Sequence, residues 1–104
     1  MTTKVVGVTF RNEDGTSRES IIARMSETDS IILERDPYNE YDSNAVKVCV
    51  INDDGKQQIG HLPRTLAAII SPKMRRGAEF PASIVACGLY MDRPYCEIEI
   101  EGID

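Results

Sequence analysis

Two short segments hold the residues with the widest chemical reach. Asp36-Pro37-Tyr38-Asn39-Glu40-Tyr41-Asp42-Ser43-Asn44 crowds side-chain oxygens and two phenols into one loop, and Gly60-His61-Leu62-Pro63-Arg64 adds the chain's single histidine and a guanidinium. Asp36, Asp42 and His61 have the residue types for acid–base work. No serine or cysteine lies in a nucleophile motif, however, and the carboxylate spacing is equally that of a turn, so an enzyme is not expected. The loop's oxygens would suit a calcium ion, but the EF-hand's central glycine is missing, and Asx side chains in turns usually bond backbone amides. One histidine and no close cysteine pair leave no zinc cluster. Neither metal nor cofactor is expected.

A single nucleic-acid strand asks for other things: aromatic faces for its bases, cations for its phosphates and, if an end is read, an acceptor for a terminal hydroxyl. Phe10, Tyr38 and Tyr41 can supply the first, His61 and Arg64 the second, and Asp42 the third. A helix opening near Pro63 would also aim backbone N–H groups at a phosphate.

These residues must be positioned by an ordinary globular chain. Its 104 residues, 41% hydrophobic and 28% charged, fit a single domain over 1–104 that needs neither disulfides nor metal. The first residues carry no apolar signal region, and no apolar run is long enough to span a membrane, so a cytoplasmic location is expected. Cys49, Cys87 and Cys96 form no C-x-x-C pair and sit in strand-like stretches, which suits buried reduced thiols. The net charge of −5 argues against a general polyanion binder. Yet from Gly55 to Ala78 there are five basic residues and no carboxylate, an asymmetry that permits a local anion site. Within it, Lys73-Met74-Arg75-Arg76 reads as a solvated helix end favoured by the dipole.

Val-rich Lys4 to Phe10 predicts a first strand, with a bulge or close backbone approach at Gly7. Thr16 and Glu19 form a capping-box pattern ahead of a short helix to Met25. Strands follow over 30–35 and 45–51, and Asn52-Asp53-Asp54-Gly55 turns the second into a hairpin with 57–61. Pro63 opens a second helix that Pro72 should end or kink near Ile70. Residues 79–89 and 95–101 flank a turn at 91–94, and Cys96, Ile98 and Ile100 alternate with glutamates, giving one buried and one acidic face. The sum is an α+β chain, mainly β, with six strands closing into a small OB/SH3-like barrel beside two short helices.

The order of motifs resembles the HIRAN domain: Val6-Gly7, the Asp-Pro-x-Asn-x-Tyr-Asp-x-Asn-Ala-Val loop from Asp36, then Ile59-Gly60-His61-Leu62-Pro63 opening a helix. The likeness runs from about Val5 to Ile100 and implies a β-barrel-like fold. It also implies capture of a single-stranded DNA 3′ end, as such domains do within DNA-remodelling helicases. Tyr41 looks like the base-stacking tyrosine, Asp42 like the acceptor of the 3′-hydroxyl, and His61 and Arg64 like phosphate contacts. Phe10 matches a second aromatic position and Asn39 a loop asparagine near the bound end. Thr9 stands where DNA-binding members have a phosphate-contacting arginine, and Cys87 where they have an aromatic.

Each residue also has a structural alternative. Tyr41 can be a core aromatic, Asp42 and Asn39 turn-makers, Asn44 a stabiliser of strand entry and His61 a hydrogen-bonded histidine. For Asn39 and Asn44 the structural role is the expected one. The rival function is a protein-interaction module that keeps the fold without binding DNA, consistent with the overall acidity. No helicase or nuclease domain lies within these 104 residues, so if they are the complete natural protein any processing enzyme is expected to come from another polypeptide.

Overall fold

Cys96, Ile98 and Ile100 are buried while Glu97 and Glu99 are partly open, the alternation expected of a strand with one face on a core. The computed structural model describes residues 1–103. Its elements are β1 (Thr2–Lys4), α1 (Arg18–Ala23), β2 (Ser30–Arg35), β3 (Val46–Asn52), β4 (Gly55–His61), α2 (Arg64–Arg75), β5 (Ala82–Tyr90) and β6 (Arg93–Ile100). The strands form one antiparallel sheet in the order β1-β6-β5-β2-β3-β4. Val46, Val48 and Val50 of β3, Ile59 of β4 and Ile98 and Ile100 of β6 fill its concave side, with Ile21 and Ile22 of α1 and Leu66 and Ile70 of α2 packed against them. No helix among the described residues is long and apolar enough to cross a membrane.

Register shifts between Val48 and Cys49, and between Ile84 and Ala86, bend the sheet into a curled half-barrel. One bridge then ties its two outer strands. Val6, just past β1, exchanges both backbone hydrogen bonds with His61 at the end of β4, each 2.9 Å. Gly60 permits the approach, since a Cβ there would lie 2.3 Å from the Val6 carbonyl oxygen and 2.6 Å from Val5 Cγ1.

Several elements differ from the sequence reading. The first strand covers Thr2–Lys4 rather than 4–10, because Gly7 adopts φ +71° and starts a turn closed by Phe10 N–H donating to the Gly7 carbonyl. Helix α1 is capped by Ser17, whose hydroxyl accepts from Ser20 N–H, and Thr16 is instead held by Asp14. Helix α2 runs through Pro72 to Arg75. The carbonyl that Pro72 deprives of its donor belongs to Ala68, on the exposed face of the helix. Strand β5 begins at Ala82, three residues late, and its turn into β6 is only Met91-Asp92, both at positive φ. That left-handed pair matches the strand twist, so Arg93 and Pro94 already belong to β6. The remaining strands fall within a residue or two of expectation.

Burial, with smaller contributions from Cys87 and Glu97, pushes the Cys96 thiol up to about 12, and burial likewise raises Cys49 and Cys87. Alkylation by iodoacetamide at pH 8 is therefore expected to be at least about tenfold slower for Cys96 in the folded protein than in urea, by mass-spectrometric timing. Gly60→Ala is expected to cost about 1–3 kcal/mol or more through overpacking at the closing bridge. A lowered urea midpoint would show it, and an unchanged midpoint would mean that the bridge is not needed for closure.

Candidate nucleic-acid interface

The loop between β2 and β3 is organised by its own side chains. Asp36 N–H donates to the Ala45 carbonyl at its base, 2.9 Å, and Ala45 N–H to the Asp42 carbonyl, 3.0 Å. Asn39 Oδ1 accepts the N–H groups of Tyr41 (2.9 Å) and Asp42 (3.1 Å), while Asn39 Nδ2 donates to Asp36 Oδ2 (3.1 Å). Asp42 Oδ1 accepts Asn44 N–H at 2.9 Å, the Asx turn expected of it. Asn44 takes part through its backbone, and its side chain forms no hydrogen bond among the described residues, contrary to the stabilising role expected of it.

Two aromatics stand outside the core, one on this loop and one on the turn after Gly7. Tyr41 is 79% exposed, which removes the core-aromatic alternative, and Phe10 is 67% exposed. The Tyr41 phenol is raised by its hydrogen bond and charge repulsion with Glu40. Gly7 lacks the side chain that would separate Phe10 from the backbone: a Cβ there would lie 3.5 Å from the Phe10 ring and 3.3 Å from Arg18 Nη1.

A cleft of about 600 Å³ opens between these walls. All six sequence-predicted residues, Phe10, Asn39, Tyr41, Asp42, His61 and Arg64, line it. Tyr38, Thr9 and Cys87 do not, and Cys87 packs against the core instead. The floor includes Val6, Ala45 and Leu62, so the cleft has an apolar base. Its charged lining is three arginines (11, 18 and 64) against Asp42, a cationic spot on an acidic protein. Arg64, at the start of α2, holds Nε 3.7 Å from Asp42 Oδ2 and is 77% exposed on its side chain. Pro63 offers no capping side chain, so the first N–H groups of α2 are not side-chain capped.

His61 serves both strand and cleft. Its backbone pairs with Lys47 and Val6, and its Nε2 lies 3.3 Å from Asp36 Oδ2. An ionised carboxylate only accepts, so Nε2 carries the hydrogen. Burial raises the Asp36 pKa, but hydrogen bonds from Asn39 and His61 and the charge of Lys47 outweigh it, leaving the carboxyl below its usual range.

Sequence reasoning missed Arg11 and Arg18. Arg18 is 8% exposed, among the most buried polar residues here, and Arg11 donates to the Gly15 carbonyl at 2.9 Å. The available signal was that a cation at the first position of a helix opposes the dipole and needs another reason to be there. Both arginines, with Asn39 and His61, also line an adjoining polar cleft of about 340 Å³.

Comparison with known proteins places this geometry. The HIRAN domain family matches residues 2–101, and the chain belongs to that family. Over 52 residues it is 40% identical to the Fanconi-associated nuclease 1 homolog of Oryza sativa subsp. japonica, a match covering 50% of this chain and 5% of that protein. The crystal structure of the HIRAN domain of human HLTF superposes with a TM-score of 0.62 at 23% identity, covering 96% of this chain and 73% of that one. A crystal structure of a protein from Lactobacillus plantarum gives a TM-score of 0.72 at 18% identity, covering 95% and 87%. The last two likenesses establish the fold.

A depressed carboxyl contributes stability that is complete above its unfolded-state value, about 3.9, and is lost as pH falls through the lower folded value. Asp36→Asn is therefore expected to be less stable than wild type at pH 7, with the gap shrinking on acidification below about pH 4. Urea midpoints at pH 7, 5 and 3 check this. A gap independent of pH would mean that the charge of Asp36 is immaterial.

Proposed function

We propose that this HIRAN domain is a non-catalytic module that binds the 3′ end of single-stranded DNA. The observation that carries the reading is that six residues scattered from Phe10 to Arg64 converge on one cleft with aromatic walls and a cationic lining. The terminal base sits between Phe10 and Tyr41, where stacking contributes about 1–3 kcal/mol per base. Its 3′-hydroxyl donates to Asp42 Oδ2, the oxygen that the turn leaves free. Arg64 is exposed enough to leave Asp42 for a phosphate, next to the N-terminus of α2. Asn39 acts by wiring the loop, and His61 by its place on the cleft wall. The match to part of a nuclease homolog supports a nucleic acid as the ligand and a nuclease as the protein that acts beside this module. Three unpaired thiols suit the reducing cytoplasm.

One observation favours the protein-interaction reading as a second function. The β5–β6 hairpin exposes Leu89, Tyr90, Met91 and Tyr95, none of which lines the cleft. Salt separates the two, because phosphate-driven binding weakens steeply with ionic strength and an apolar contact does not.

The test is fluorescence anisotropy of a short labelled strand at low salt, with a free 3′-hydroxyl or a 3′-phosphate. Wild type is expected to prefer the hydroxyl by roughly tenfold to a hundredfold, the worth of a hydrogen bond to a charged group. Asp42→Asn can keep the Asx turn while removing the carboxylate charge, and should lose most of that preference with little change in Tm. Equal affinity of wild type for both ends would end the end-reading proposal.

A further inference from the structure

We propose that Arg18 is a buried anchor for a backbone phosphate of the bound strand, set where the two clefts meet. The inference rests on the nucleic-acid reading above but names a residue and a contact outside it. A guanidinium this buried is normally paired with a carboxylate. Arg18 has no ion pair among the described residues, and its partners are neutral: Nε donates to Asn12 Oδ1 at 2.7 Å and Nη1 to the Gly7 carbonyl at 2.9 Å. Nη2 has no acceptor among the described residues and is not fully covered, and Arg18 lines both clefts.

The side chain is also held in place from behind. Asn12 is itself fixed by donating to Thr16 Oγ1 (3.0 Å) and to the Gln58 carbonyl (2.9 Å). Burial disfavours the Arg18 charge and Asp36 opposes this only in part, so the site bears a cost that an incoming anion relieves. A phosphodiester is the anion that fits. It presents an oxygen to the one uncommitted nitrogen of a fixed guanidinium and arrives with the strand whose terminal base the adjacent aromatics would stack. The second cleft sets Lys47 and Lys56 beside Arg18 and Arg11 but also carries Glu13, Asp14 and Asp36, so the contact is placed at Arg18, where the two clefts meet, and goes no further.

Strands carrying a single neutral methylphosphonate at each of the last three linkages, one at a time, test this against wild type and Arg18→Gln. One such linkage is expected to weaken wild-type binding about tenfold and to weaken R18Q no further, and R18Q should lose about 0.7 from the slope of log K against log salt. A folded R18Q that responds to every neutral linkage as wild type does would overturn the proposal. If R18Q does not fold, the guanidinium NMR signals of Arg18 in wild type decide. They should shift with the native strand and not with the strand neutralised at the critical linkage, and no shift with either refutes the contact. Loss of preference for a free 3′-hydroxyl would sink end capture while leaving this phosphate test intact. Should no strand bind, inorganic phosphate becomes the probe. An Arg18 shift at millimolar phosphate upholds the anion site, and its absence rejects it.

Discussion

Two backbone hydrogen bonds between Val6 and His61 hold the arrangement together. They join the segment after one outer strand to the end of the other, and so convert a bent six-stranded sheet into a half-barrel with its edges tied at one point. The approach is tolerated only because Gly60 has no Cβ. The same pair of bonds delivers Gly7, Phe10 and the following turn to the rim that carries His61 and Arg64. It is the one backbone bridge between β4 and the chain just after β1 among the described residues, and the Asn12 side chain adds a second tie by donating to the Gln58 carbonyl of β4.

Around that rim the polar groups divide their labour. Asn39 uses both ends of its amide inside the loop, and Asp36 is occupied by Asn39 and His61. Asp42 spends one oxygen on the turn and keeps the other toward the cleft. The loop wiring therefore fixes the backbone at Tyr41 and Asp42 and leaves the Tyr41 ring exposed and Asp42 Oδ2 beside only the exposed Arg64, a preorganised arrangement.

The acidity of the chain and the cationic character of the cleft are compatible because charge is spatially sorted. Glu97 and Glu99 lie on the strand beside β1, where Glu99 meets the N-terminal ammonium and Thr2, while the cleft gathers its arginines from the α1 and α2 regions. An acidic exterior discourages indiscriminate polyanion binding, while the arginines leave a local positive field at the cleft. HIRAN membership and the shared fold give this division a context, although the surface chemistry belongs to these particular side chains.

The sequence by itself determined whatever is local. Period-two alternation marked β6, Asx-Gly chemistry marked the β3–β4 turn, and the Asp36–Asn44 spacing marked a self-bonded loop, because each depends on neighbours within a few residues. It also singled out six residues that share a cleft, through motif resemblance more than through any spacing rule. Tertiary structure decided the rest. Pro72 stays inside α2 because the carbonyl it strands faces outward, and β1 ends early because Gly7 turns and Val6 finds His61. Arg18 becomes a buried cation between two clefts only when Asn12, Gly7 and the end of β4 are brought around it. Those outcomes hinge on which distant backbone and side-chain groups come within hydrogen-bond range, and chain closure fixes that where local pattern cannot.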